Sequence, residues 1–147
     1  MIKIREAQVT DLDDILQLYS LLYGKNVLQK DAEVQRIWNR ILTDRFYHVI
    51  VAEEDGKLVS TCVCVIIQNI PFDHKPYAIV DNIVTHGEYR AQGLATACLQ
   101  EAQRIAEENE CYKIILTTQS KLDSTHRFYE KLGYSKEDST AFTKWLF

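Results

Sequence analysis

The sequence has no run of about 18 apolar residues, so a helix crossing a membrane is excluded and no membrane partner is expected. Its opening segment, MIKIREAQVTDLDD, lacks an apolar stretch long enough for a signal peptide, and a cytoplasmic location is the expectation. A basic excess is missing too. Lys and Arg number 17 against 21 Asp and Glu, giving a net charge of −4 and a pI near 5.6, which argues against nucleic acid as a partner. The four cysteines, Cys62, Cys64, Cys98 and Cys111, lack the paired spacing of a zinc knuckle, and His48, His74, His86 and His126 are scattered. The cysteines sit in apolar stretches such as STCVCVII and ATACLQ, as buried free thiols do, and no structural metal is expected. Repeats, low-complexity tracts and linkers are absent. At 147 residues the chain is long enough for one full core and too short for two, so residues 1–147 are expected to form a single domain.

The hydrophobic period, by contrast, is plentiful and switches in order. KIREA reads as a first strand, followed by a capping-box-like start at Thr10 and Asp13. Leu12, Ile15, Leu16, Tyr19, Leu22 and Tyr23 then recur at helical spacing, with Gly24 as a stop. Val34, Ile37, Trp38, Ile41 and Leu42 mark a second amphipathic helix. Two apolar runs flank Asp55-Gly56, a strong hairpin signal because the favoured tight turn needs positive φ at both central positions. The only two prolines bound a loop, PFDHKP; the strand-like YAIVDNIVT follows it. Leu94, Cys98, Leu99, Ala102, Ile105 and Ala106 form the stripe of the longest helix. YKIILTT reads as a buried strand, DSTHRFYEKL as a short helix closing at Gly133, and TAFTKWLF as a last strand.

Gly93, in EYRAQGLA, stands where a helix begins rather than ends. A strand, a tight turn and a helix N-terminus follow one another here, and such a junction presents unpaired N–H groups at the positive end of the helix dipole, where phosphate binds. A side chain at position 93 would keep an anion from those amides, while Arg90 and Thr96 could add a charge and a hydroxyl. Alternatively, Gly93 relieves a crowded turn. A dinucleotide-binding loop or a P-loop fits worse, since each needs further glycines and Gly93 stands alone.

Arg90-Ala91-Gln92-Gly93-Leu94-Ala95 satisfies Arg/Gln-x-x-Gly-x-Gly/Ala, and RFYEKLGY is similar to a downstream Phe-Tyr-x-x-x-Gly-Phe segment. In both respects, and in the order of elements across nearly the whole chain, the sequence resembles the GNAT superfamily of acyl-CoA-dependent N-acetyltransferases. The resemblance implies an α/β domain whose mixed, mostly antiparallel twisted sheet of six to seven strands splays between the fourth and fifth, flanked by about four helices. It implies acetyl-CoA as cosubstrate, held by backbone groups of Ile83, Val84 and Thr85 and by the loop Arg90, Ala91, Gln92, Gly93, Leu94, Ala95 and Thr96. It further implies Tyr129 as the acid that protonates the departing thiolate, a phenol being protonated at pH 7. Ala91 replaces a frequent glycine at little cost, and no asparagine precedes the Phe-Tyr pair at the family's usual place.

Asp81 lies in an otherwise apolar strand, where the two-residue period puts it on one face with Ile79, Ile83 and Thr85. A carboxylate is costly to bury unpaired, so it is expected to line the cleft, as general base, as a ligand of the substrate ammonium or in a structural hydrogen bond. His126, one helical turn before Tyr129, either assists proton transfer or faces solvent. By the resemblance, the first two helices wall the acceptor site, with Tyr19, Tyr23 and Trp38 as candidates, although their spacing equally fits a helix core. CYKIIL and FYEKLGY resemble the amino-sugar phosphate acetyltransferases of the family. Two functions follow as expectations. One is acetyl transfer to a primary amine of a small molecule or peptide, by direct attack through a tetrahedral intermediate; the other is a non-catalytic acyl-CoA-binding module. A homodimer is possible through the edge of the last strand.

Overall fold

The computed structural model describes residues 1–23 and 28–147, the Tyr23 side chain excepted, and these fall into two compact units, 1–116 and 117–147. The first unit holds the sheet, in the order β1 (Ile2–Glu6), β2 (Tyr47–Glu54), β3 (Lys57–Ile67), β4 (Tyr77–Thr85) and β5 (Ile114–Leu116). Neighbours from β1 to β4 are antiparallel, and β5 is parallel to β4. Among the described residues the sheet has five strands, not the six to seven expected; residues 135–147, TAFTKWLF included, carry neither helix nor strand. Side-chain pattern shows only that a segment could pair, whereas a strand also needs a ladder partner, and Phe142, Trp145, Leu146 and Phe147 are exposed.

The β2–β3 hairpin turns at Asp55 and Gly56 with φ of 50° and 80°, as the Asp-Gly pair predicts. Partners across a ladder share a face, so the two sides of the sheet can be read from the register. Val49, Val51, Val63 and Val84 pack with Leu12, Ile15, Leu16 and Leu18 of α1 (Leu12–Tyr23) and Trp38 of α2 (Ala32–Thr43). On the other face, the Cys62 and Cys64 thiols donate to the Cys98 and Ala102 carbonyls, at 3.6 and 3.8 Å, on α3 (Leu94–Glu108). The expected stripe of α3 is buried in full. Each fully buried Val or Leu contributes about 1.5–3 kcal/mol before entropy is counted, so this double-sided core holds the first unit together.

Two helix starts differ in detail. A 3-10 turn (Val9–Asp11) precedes α1, and its box joins Asp11 to the Gln8 N–H at 2.7 Å rather than Thr10 to Asp13. Arg5 draws Asp11 there, with Nη1 at 2.7 Å from the carboxylate. Gly24, the expected stop of α1, lies outside the described residues. Asp31 caps α2 by accepting the Val34 N–H at 2.9 Å, a bond of the kind that contributes about 1 kcal/mol. In the second unit α4 (Asp123–Lys131) closes at Gly133, φ 96°, where the Tyr134 N–H returns to the Tyr129 carbonyl at 3.1 Å.

Candidate active site

A bulge interrupts β4. Thr61 pairs with Val84 and Val63 with Asp81, so Cys62 alone stands opposite two residues, Asn82 and Ile83. Asn82 has φ 52°, a left-handed conformation that Asn tolerates better than most residues. The extra residue reverses the alternation beyond it. Asp81 shares its face with Ile79 and Val84, the α1 side, whereas Thr85 is on the α3 side, its hydroxyl 2.8 Å from Ser60 Oγ. The expectation that Asp81 shares a face with Ile83 and Thr85 is therefore corrected, because the two-residue period breaks at Asn82.

Asp81 is exposed, and one carboxylate oxygen accepts the Asn82 N–H at 2.8 Å. Tyr19, from α1, lies close enough to Asn82, Tyr47 and Asp81 for each to bear on its phenol. Burial chiefly, with Tyr47, Cys62 and Asp81 adding to it, pushes the Tyr19 phenol well above its ordinary pKa, against a smaller lowering by Asn82. Burial and the Asp81 charge raise Tyr47 as well. Tyr19, Tyr47 and Asp81 thus lie within electrostatic reach of one another beside the bulge. Sequence reasoning missed Tyr47 and Asn82; the available signal was an asparagine inside a strand of apolar and β-branched residues.

Pairing between β4 and β5 covers only Ala78–Val80 and Ile114–Leu116. Among the described residues, Asp81 to Thr85 have no ladder partner on that edge, which includes the backbone of Ile83, Val84 and Thr85. Beyond Thr85, His86 Nδ1 accepts the Glu88 N–H at 3.2 Å, and Arg90 Nε reaches the Thr85 carbonyl at 3.5 Å. Arg90, Ala91, Gln92 and Gly93 are exposed, Leu94 is buried, and Ala95 and Thr96 are half-buried. Gly93 is the N-cap of α3 with φ 78°, and no side chain caps this end. The first-turn amides lack partners within the helix, as at any helix start. A Cβ added at Gly93 would meet no atom within 4 Å, so the glycine does not relieve crowding by the chain itself. Its left-handed backbone and the open space before the amides are what it supplies.

Trp38 is buried in the core and its indole N–H donates to the Val9 carbonyl at 3.2 Å. The side chain of Tyr23 lies outside the described residues. Within the second unit, Tyr129 is half-buried on α4, its ring 5.1 Å from Phe128 and 6.3 Å from Tyr134, both edge-on. Phe128 is half-buried as well. His126 is also half-buried, with Nε2 2.8 Å from the Ser120 carbonyl and Nδ1 3.4 Å from Lys136 Nζ, so Nε2 carries the proton.

The profile of the Acetyltransferase (GNAT) family matches residues 12–134, from the first turn of α1 to the close of α4. The chain belongs to this family. A glucosamine 6-phosphate N-acetyltransferase of Trypanosoma brucei brucei is 28% identical over 94 residues, 64% of this chain and 59% of that protein, so the match spans about three fifths of the relative's length. A solved structure from Agrobacterium tumefaciens, named provisionally as an acetyltransferase, is 27% identical with a TM-score of 0.90, covering 97% of this chain and 99% of that one. The glucosamine-6-phosphate N-acetyltransferase of Arabidopsis thaliana, 21% identical, shares the fold at a TM-score of 0.85 over 99% of each chain. In this GNAT chain the bulged strand, the unpaired edge and the start of α3 are contiguous in sequence.

Proposed function

We propose that the chain is an N-acetyltransferase that moves the acetyl group of acetyl-CoA to a primary amine of a small molecule or peptide. The observation that carries this reading is the uncapped start of α3 behind left-handed Gly93, with open space where a side chain would stand. The residues fit a pyrophosphate. The amides from Gln92 to Thr96 point positive partial charge outward, and the Arg90 guanidinium and Thr96 hydroxyl add to it. Backbone groups of Ile83, Val84 and Thr85 run along the pantetheine arm. The strand edge, unpaired from Asp81 onward, offers N–H groups to the oxygen that gains charge as the amine attacks.

An alkyl ammonium with a pKa near 10.4 has no lone pair to attack with, so a proton must leave first. Asp81, exposed at the bulge, takes it directly or through water. The amine nitrogen adds to the thioester carbon to give a tetrahedral intermediate, whose collapse breaks the C–S bond as the Tyr129 phenol gives its proton to the departing thiolate. The relative's name makes an amino-sugar phosphate the first acceptor to screen. Four free thiols, three of them buried, suit a reducing compartment, and we place the reaction in the cytoplasm.

Calorimetric titration with acetyl-CoA tests the reading. The wild type is expected to bind in the micromolar range and Gly93→Asp not at all, since the carboxylate blocks and repels the pyrophosphate. Tyr129→Phe is expected to bind normally and to lose more than about tenfold in kcat. Normal binding by Gly93→Asp overturns the cofactor site, and an unchanged rate removes Tyr129 as the acid. Binding without turnover on any amine would leave an acyl-CoA-binding module.

A further inference from the structure

We infer that the open face of β4 and β5 is a track for a peptide acceptor, with Asp81 meeting the peptide's terminal amine and Lys113 meeting an acidic side chain near its fourth residue. The inference rests on the acetyltransferase reading, since it names the amine that the reaction takes.

The ladder register puts Tyr77, Ile79 and Asp81 on the α1 side of the sheet, opposite Ile67, Val65 and Val63 of β3. Ile79 pairs in parallel with Ile115, which therefore lies on the same side. Lys113, two residues before Ile115, continues that row, and its ammonium stands 5.5 Å from the centre of the Tyr77 ring and 5.3 Å from that of Tyr112. Phe72 stacks on Tyr112 at 4.6 Å and steadies the platform. The two sides of the sheet differ here. Ala78 and Val80, which face the other way, are buried, whereas Ile115 is 36% exposed, Tyr77 and Ile79 are half-buried, and Asp81 and Lys113 are exposed. The open strip thus has an anion at one end, a cation at the other and an apolar floor between them. Among the described residues Lys113 has no carboxylate partner, and an ammonium resting on ring faces keeps N–H groups for an outside anion.

From Tyr77 to Asp81 is four steps along β4, roughly 13 Å. An extended peptide covers that span in about four residues. An amino-sugar phosphate, whose amine and phosphate are a single ring apart, does not. Length and charge complementarity together favour the peptide, with an apolar residue over Ile79 and Ile115. A terminal α-amine also gives up its proton more readily than an alkyl ammonium, with a pKa of about 7.7–8.0 against about 10.4, which suits a base as exposed as Asp81.

Two tetrapeptide amides with free amino termini, Ala-Val-Ala-Asp and Ala-Val-Ala-Arg, test the track. The wild type is expected to acetylate the first with a kcat/KM about tenfold above the second, a preference that shrinks at about 1 M salt. Lys113→Glu should invert the order, and Lys113→Arg should keep it. Equal rates on the two peptides, or an equal fall on both in Lys113→Glu, overturns the track while the enzyme reading stands. So does acetylation of glucosamine 6-phosphate and of neither peptide. If the wild type acetylates no amine, the enzyme reading fails and calorimetry with the Asp peptide still decides. Binding that Lys113→Glu weakens about tenfold supports the track; no binding, or binding that the substitution leaves unchanged, overturns it.

Discussion

Ala91 is held at φ 61°, in a region where an L-residue is strained by about 1–2 kcal/mol. By the motif alone, alanine in place of glycine at this position is cheap, since the motif permits either. The backbone shows a cost that a motif cannot express, because a pattern of residue types carries no dihedral angles. Ala91→Gly should stabilise the protein by about 0.5–1 kcal/mol, the relief of strain outweighing the greater chain entropy of glycine when unfolded. A urea midpoint that does not rise would show that the turn is unstrained as built. Asn82 was illegible for a related reason. Alternation identifies β4 and places Asp81 on it, but an inserted residue does not disturb the alternation of a strand whose two faces are both largely apolar, and the asparagine is the one mark of it.

At the scale of elements, the pattern was read well where a local period and a local signal agreed. The Asp55-Gly56 hairpin, the α3 stripe and the Gly133 cap each combine a few neighbouring residues with one backbone demand, and each appears as expected. TAFTKWLF failed because pairing is decided by distant chain. The β3–α3 layer carries a pH signature of its own. Burial pushes Cys98 up to about 11, Cys64 up to about 12 and Cys62 higher still, from 9.0. Thiols so raised stabilise the fold fully below pH 9, where neither state ionises. That contribution is lost as the pH climbs toward 11–12, because the unfolded chain releases those protons first. The urea midpoint is therefore expected to fall between pH 8.5 and about 10.5, with Cys→Ser changes at 62 and 64 reducing the slope. A flat profile across that window would mean that these thiols ionise in the folded protein as freely as in the unfolded one.

The family was the most legible property of the whole molecule, since two motifs on the right elements in the right order are specific in a way that neither is alone. Association was less so. Phe142, Trp145, Leu146 and Phe147 leave large apolar side chains exposed at the end of the second unit. We propose that a second copy covers them, and sedimentation should then report twice the 17.1 kDa chain mass, with removal of residues 141–147 returning it to one. A monomer at every concentration would refute the dimer.

The empty space beside Gly93 has a consequence for how damage at this position would show itself in a cell. A side chain there touches nothing of the chain's own. Asparagine also tolerates the left-handed backbone, so a Gly93→Asn chain would fold, evade the chaperones and proteases that clear unstable proteins, and accumulate at normal abundance. Its defect would be invisible to any screen that measures how much protein is present and would emerge only from one that measures what the protein holds.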